Sequence, residues 1–205
     1  MTSAIRNAIA VGAMTILLGA CASIGPTTSQ YDFGPPAAAQ QSAPVTPGAI
    51  TAVIVADITG PASLDSERMY YRLLYSDARQ SRPYAYNQWT STPLQLMTQR
   101  MKTRIAQSGV KVLSTTDAAA SVTLLRIEVE DFAQNFDSAT SSKGVISLRA
   151  SLFRSHKLVD QKSFTRSSPA PSADAAGGAR ALADAADALA ADVQTWLAAL
   201  PLPKE

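Results

Sequence analysis

The stretch Val122-Thr123-Leu124-Leu125-Arg126-Ile127-Glu128-Val129-Glu130-Asp131-Phe132 decides the architecture, because from Leu125 onward apolar and charged residues alternate. A period of two puts Leu125, Ile127 and Val129 on one face of an extended strand and Arg126, Glu128 and Glu130 on the other. A strand with one greasy and one charged face belongs in a sheet that is covered on one side and wet on the other, which is the habit of antiparallel sheets. Residues 144–153 repeat the pattern, with Ile146, Leu148, Ala150 and Leu152 opposite Ser147, Arg149 and Ser151. Residues 155–157 turn the chain into a further strand over 158–166. Three antiparallel strands in a meander follow from these periods.

Moving outward, the covering layer is equally visible. Over residues 179–200, Leu182, Ala186, Leu189, Val193, Trp196 and Leu200 recur at alternating steps of four and three, with Asp184, Asp187 and Asp192 elsewhere on the wheel. Gly177 and Gly178 precede this helix and Pro201 lies just beyond it. A second amphipathic helix opens at Pro93, brings Leu94, Met97, Met101 and Ile105 to one side, and stops at Gly109. Val112 and Leu113 then begin a short strand. Upstream, the β-branched run at 50–58 reads as a buried strand ended by Thr59-Gly60-Pro61. The aromatic segments 69–76 and 82–87 predict a hairpin with the polar residues 77–81 as its loop. The sum is an α+β single domain, an antiparallel sheet of about five to six strands with two helices packed on one face.

The N-terminal part has a different composition. Arg6 is followed by an uncharged apolar run over 8–19, too short for the roughly 20 residues a spanning helix needs, and by Leu18-Gly19-Ala20-Cys21. This charged, apolar, small-residue order is that of a secretory signal. The four residues resemble a bacterial lipobox, which implies cleavage between Ala20 and Cys21 and acyl chains such as palmitate on the only cysteine. At about 0.8 kcal/mol per buried methylene, two or three such chains anchor stably. Ala22 rather than Asp after the cysteine resembles the pattern for export to the outer membrane, so the expected seat is its periplasmic leaflet. The domain reading is therefore a signal peptide at 1–20, a lipidated cysteine and flexible Pro/Ala/Ser-rich tether at 21–48, and a folded domain at 49–201. Extended, some 25 tether residues span on the order of 75 Å. Tyr31-Asp32-Phe33-Gly34 interrupts the tether and is expected to dock as a short strand.

Charge and chemistry narrow the function. The chain carries 18 Lys and Arg, one of them Arg6 in the leader, against 16 Asp and Glu. A nearly neutral surface without a basic cluster excludes a nucleic-acid partner. His156 is the only histidine and sits in the turn at 155–157 between Arg154, Ser155 and Lys157. No G-x-S-x-G elbow is present, and Glu128, Glu130 and Asp131 read as a solvated strand face. One histidine and no spare cysteine fall short of the usual zinc ligand sets. No catalytic residue, no metal site and no cofactor is expected. Tyr84, Tyr86 and Trp89 are the candidate partner-binding residues, as an aromatic platform for a protein or an acyl chain; core packing is the other reading, favoured narrowly for these three and strongly for Trp196.

Taken in order, Tyr31-Asp32-Phe33-Gly34 soon after the cysteine, Tyr70-Tyr71-Arg72-Leu73, Tyr84-Ala85-Tyr86, Trp89 with Pro93 before a helix, the strand at 122–132, and a last helix with Ala181-Leu182 early and Trp196-Leu197 late resemble the ABC-type transport auxiliary lipoprotein family, the PqiC-like component of MCE systems. The resemblance covers most of the chain after Cys21; the polar residues 61–68 do not contribute to it. It implies a periplasm-facing, lipid-anchored outer-membrane protein that binds rather than catalyses. Its implied partners are an MCE-domain substrate-binding protein, an ABC permease and an ATPase that move phospholipid between membranes. The same resemblance leaves open direct contact with phospholipid and a homo-oligomer. The alternative from another class is a structural lipoprotein that assists assembly or stability of an outer-membrane complex.

Overall fold

Why the alternation at 122–132 does not stop at Phe132 is the key to the sheet. In the computed structural model, which describes residues 27–36, 50–117 and 122–200, the elements run β1 (Ser29–Tyr31), β2 (Ala52–Val55), β3 (Arg68–Leu73), β4 (Asp77–Trp89), α1 (Pro93–Gln107), β5 (Lys111–Leu113), β6 (Thr123–Ser138), β7 (Ser141–Arg154), β8 (Lys157–Pro169) and α2 (Ala175–Ala199), with one 3-10 turn at Ala62–Leu64. The leader, Ala20, Cys21 and residues 22–26 and 37–48 of the tether lie outside the described residues. The register of β6 on β7 shifts between Val129 and Asp131, a bulge that inserts one residue and reverses the parity. Before it Leu125, Ile127 and Val129 face the core; after it Phe132, Gln134 and Phe136 do. A strict period-two reading loses the strand there.

The meander is as expected, with β6, β7 and β8 antiparallel in sequence. The rest of the sheet adds parallel pairs to the expected antiparallel ones. Along its other edge, β6 takes β2 in parallel at Thr123 to Leu125, an isolated bridge from Thr59 to Glu128, and β3 in parallel at Gln134 to Phe136. The chain from β2 to β3 thus follows β6 in one direction, leaving it only for an excursion that includes the 3-10 turn. β5 adds in parallel outside β2, and β1 in parallel outside β4. The result is an eight-stranded mixed sheet, still α+β, because the two helices share one side. The hairpin also differs from expectation: the turn is Leu74 to Ser76, and the polar residues at 77–81 are strand. Both faces of that part of β4 are exposed, so nothing imposes the apolar alternation by which strands are recognised.

α2 lies across β7 and β8 so closely that a Cβ on Gly144 would fall 2.6 Å from the backbone nitrogen of Leu182. Its start is four residues earlier than the apolar stripe suggests, because Asp174 caps it by accepting from the Gly177 N–H at 2.8 Å. The glycine pair is therefore inside the first turn. α1 begins at the expected Pro93, capped by Thr92, and ends before Gly109 with its φ of +88°. One core joins Val53, Val55, Leu125, Ile127, Ile146, Leu148 and Leu152 of the sheet with Met97, Met101, Ile105, Leu182, Leu189 and Val193 of the helices. Trp196 belongs to it, its indole N–H donating to Asp160 at 2.8 Å and its ring edge-on to Phe164. The opposite sheet face is polar: Glu128 pairs with Arg149, and Ser147 with Thr165 at 2.9 Å.

Candidate functional site

Tyr31-Asp32-Phe33-Gly34 is where the N-terminal segment meets the body, and each of its residues is held. β1 pairs Tyr31 with Trp89. Phe33, 8% exposed, meets the Trp89 ring edge-on at 5.7 Å and stacks on Phe132 at 6.2 Å. Asp32 accepts from the Gly34 N–H at 2.7 Å, closing a turn in which Gly34 takes a φ of +62°, a value glycine adopts at no steric cost. Arg100 of α1, 6% exposed, donates to the carbonyl of Phe33 and to that of Gly34 at 2.7 Å. Its guanidinium also lies 5.7 Å over the Phe33 ring.

A charge this deep needs a counter-charge. Asp187 of α2 supplies it, 3.4 Å from Arg100 and 2.6 Å from Arg104. Burial pushes the Arg100 pKa below the usual arginine range and Asp187 opposes that, whereas the hydrogen bond that Arg104 donates to Asp187 raises the Arg104 pKa. The segment is thus latched by two helices. Recesses of about 340 and 260 Å³ open on either side of it, the first reaching Arg180 and Thr90, the second Gln99 and Thr103.

The three aromatic candidates part company. Trp89 is 1% exposed and packs inside the Phe33 and Phe132 cluster. Tyr84 is half-buried, its ring 4.6 Å from that of Tyr71, and its hydroxyl donates to Gln134 Oε1 at 2.8 Å. Gln134 is 1% exposed and donates in turn to Ser142 Oγ at 2.8 Å and to the Asp174 carbonyl at 3.0 Å. Burial pushes the Tyr84 phenol well above its ordinary pKa, and Tyr71 and Asp174 add to the shift. Tyr86 alone offers its ring to solvent, at 53% exposure. Exposed with it on the same hairpin are Leu74 and Tyr75 of the turn, and elsewhere Leu158 and Val159 at the start of β8. His156 occupies the β7–β8 turn with a φ of +63°.

Arg100, Asp187 and Gln134 were not singled out from the sequence, although one signal was there. Arg100 lies three residues after Met97, on the apolar stripe of its helix, where a charge demands a buried partner. Gln134 had no such mark, since only the bulge turns it inward. Among the described residues no three His, Cys, Asp or Glu side chains come together as a metal site, and no helix is long and apolar enough to cross a membrane.

A half-covered mixed sheet with two helices on one side, an exposed aromatic hairpin and a latched N-terminal strand makes an α+β domain. Residues 31–194 match the family of the ABC-type transport auxiliary lipoprotein component, and the chain belongs to that family: it is an auxiliary lipoprotein component of ABC-type transport systems. The match begins at Tyr31, inside the latched segment. Two crystal structures share the fold. A Xanthomonas campestris protein of the domain family DUF330 is 20% identical, with 83% of this chain and 91% of that one covered and a TM-score of 0.65. An uncharacterized protein is 16% identical, with 83% and 99% covered and a TM-score of 0.66. A search of curated proteins found no match.

Proposed function

We propose that this auxiliary lipoprotein is anchored through an acylated Cys21 in the periplasmic leaflet of the outer membrane, and that it binds the MCE-domain protein of a phospholipid-transporting ABC system without catalysing a reaction. The observation that carries the reading is the family match over residues 31–194 directly behind Leu18-Gly19-Ala20-Cys21. A lipid anchor confines the domain to one wall of the envelope and raises its effective concentration for partners within reach. Of the three aromatic candidates, Tyr86 is the one exposed to a surrounding surface, protein or acyl chain; Tyr84 and Trp89 serve it by holding β4 in place. Affinity capture of the native lipoprotein from detergent-solubilised envelopes tests this. Recovery of the MCE protein with its permease, together with a Cys21-initiated triacylated mass, is expected. Recovery of an outer-membrane complex with no MCE protein would replace transport by the structural role.

A further inference from the structure

Because β1 is latched to the body, only residues 22–28 separate Cys21 from the fold. Eight peptide steps span at most about 28 Å, where release of the chain as far as Ile50 would allow about 100 Å. A body on so short a leash lies against the membrane that holds it. The end of the body at which β1 begins then selects the surface that meets the lipid.

β1 runs parallel to β4, with Ser29 opposite Asn87, so the end at which β1 begins is the side on which Tyr86 and the β3–β4 turn lie. That turn also marks the end to which β6 runs, since the Leu74 N–H donates to the Phe136 carbonyl at 2.9 Å. Arg68 pairs with Gln88, level with β1, and Leu73 with Asp77 at the turn. The turn therefore stands roughly 20 Å beyond β1, within the leash. Its surface is amphipathic. Leu74, Tyr75 and Tyr86 are 36, 54 and 53% exposed; among the described residues neither the Arg79 nor the Arg82 guanidinium pairs with a carboxylate, Arg82 donating instead to Gln80, while Asp77 is engaged by the Arg79 backbone N–H at 2.9 Å. Tyrosines with cations beside them suit the interfacial zone of a bilayer with anionic headgroups.

We infer that the β3–β4 hairpin is a membrane-contact surface, with Leu74, Tyr75 and Tyr86 seated among the headgroups of the anchoring bilayer and Arg79 and Arg82 on its anionic lipids. The opposite end, with Leu158 and Val159, then faces away from that membrane. The inference rests on the acylation of Cys21 proposed above.

The test uses the full acylated chain in phosphatidylethanolamine and phosphatidylglycerol vesicles with brominated acyl chains, which quench tryptophan. Trp89 and Trp196 are buried and give a constant background. Tyr75→Trp should be quenched at least about twofold more than Leu158→Trp, as expected of a ring at the interface. Adding Arg79→Glu and Arg82→Glu should cut the difference in phosphatidylglycerol vesicles and leave it unchanged in vesicles of phosphatidylethanolamine alone. Tyr86→Trp repeats the measurement if the turn variant fails to fold. Equal quenching at both ends, or none in the Tyr75→Trp variant, with the acylated mass confirmed, overturns the surface and spares the anchor. A Cys21 mass without acyl chains overturns both.

Discussion

The two ends of β4 live under different rules. From Asn87 to Trp89 the strand is flanked by β1 on one side and β3 on the other, and it ends in a side chain 1% exposed. From Asp77 to Tyr86 its outer edge has no strand beside it among the described residues, and its side chains are exposed or half-buried. The difference teaches where to look for binding. Tyr86 and Trp89, three residues apart, divide between surface and core by the strand's own alternation, whereas Tyr84 and Trp89, five apart, both turn inward because the register of β4 on β3 shifts between Arg68 and Tyr70. The free end is guarded against edge-to-edge aggregation by Asp77, Arg79, Arg82 and Pro83, the last without an N–H to donate.

Substitutions along this contrast should fall in a steep order. Trp89→Ala empties the cluster it forms with Phe33 and Phe132 and should cost about 4 kcal/mol, read as a fall in the urea midpoint with unchanged slope. A cost under about 1 kcal/mol would show that the packed end is not packed. Arg100→Ala removes the donor to two carbonyls and one partner of Asp187, at a cost of about 2 kcal/mol. Its more telling effect is local: amide exchange at Tyr31 to Gly34 should accelerate more than in the meander, because the latch opens first.

Tyr84→Phe leaves the Gln134 acceptor without its donor and should cost about 1.5 kcal/mol. It also changes the response to alkali. The folded-state pKa of Tyr84 is raised above the unfolded value near 10, so the folded form keeps its proton where the unfolded form loses it. The stability involved is complete below about pH 10 and is lost as pH rises beyond it. A shallower alkaline loss in Tyr84→Phe is the expected outcome in denaturant titrations from about pH 8 to 11, and an identical slope would place Tyr84 outside the buried network. Smallest of all, Tyr86→Ala should shift stability by less than about 0.5 kcal/mol while weakening attachment of the β3–β4 turn to vesicles. A large loss of stability would move Tyr86 from the binding end of the comparison to the packed one.

The meander, both helices and the N-terminal interruption could be read along the chain because each is written in a local period or a cap: Leu125, Ile127 and Val129 at two, Leu182 through Trp196 at three and four, Pro93 at a helix start. The hairpin turn could not, since Asp77 to Ser81 form a strand that no core face patterns. The aromatic group was visible as a group, but its division among core, network and solvent was not.

Composition and periodicity alone are enough for an α+β body behind a cysteine, with one side of its sheet covered and the other wet. They are blind to the parallel run of β2 and β3 beside β6, to the bulge that turns Gln134 inward, and to Arg100 and Asp187 closing over Phe33 from two helices. Each of those depends on residues tens of positions apart meeting in space. A repeat of two or of three to four residues records how one element faces the core, and it contains no term for which other element lies against it.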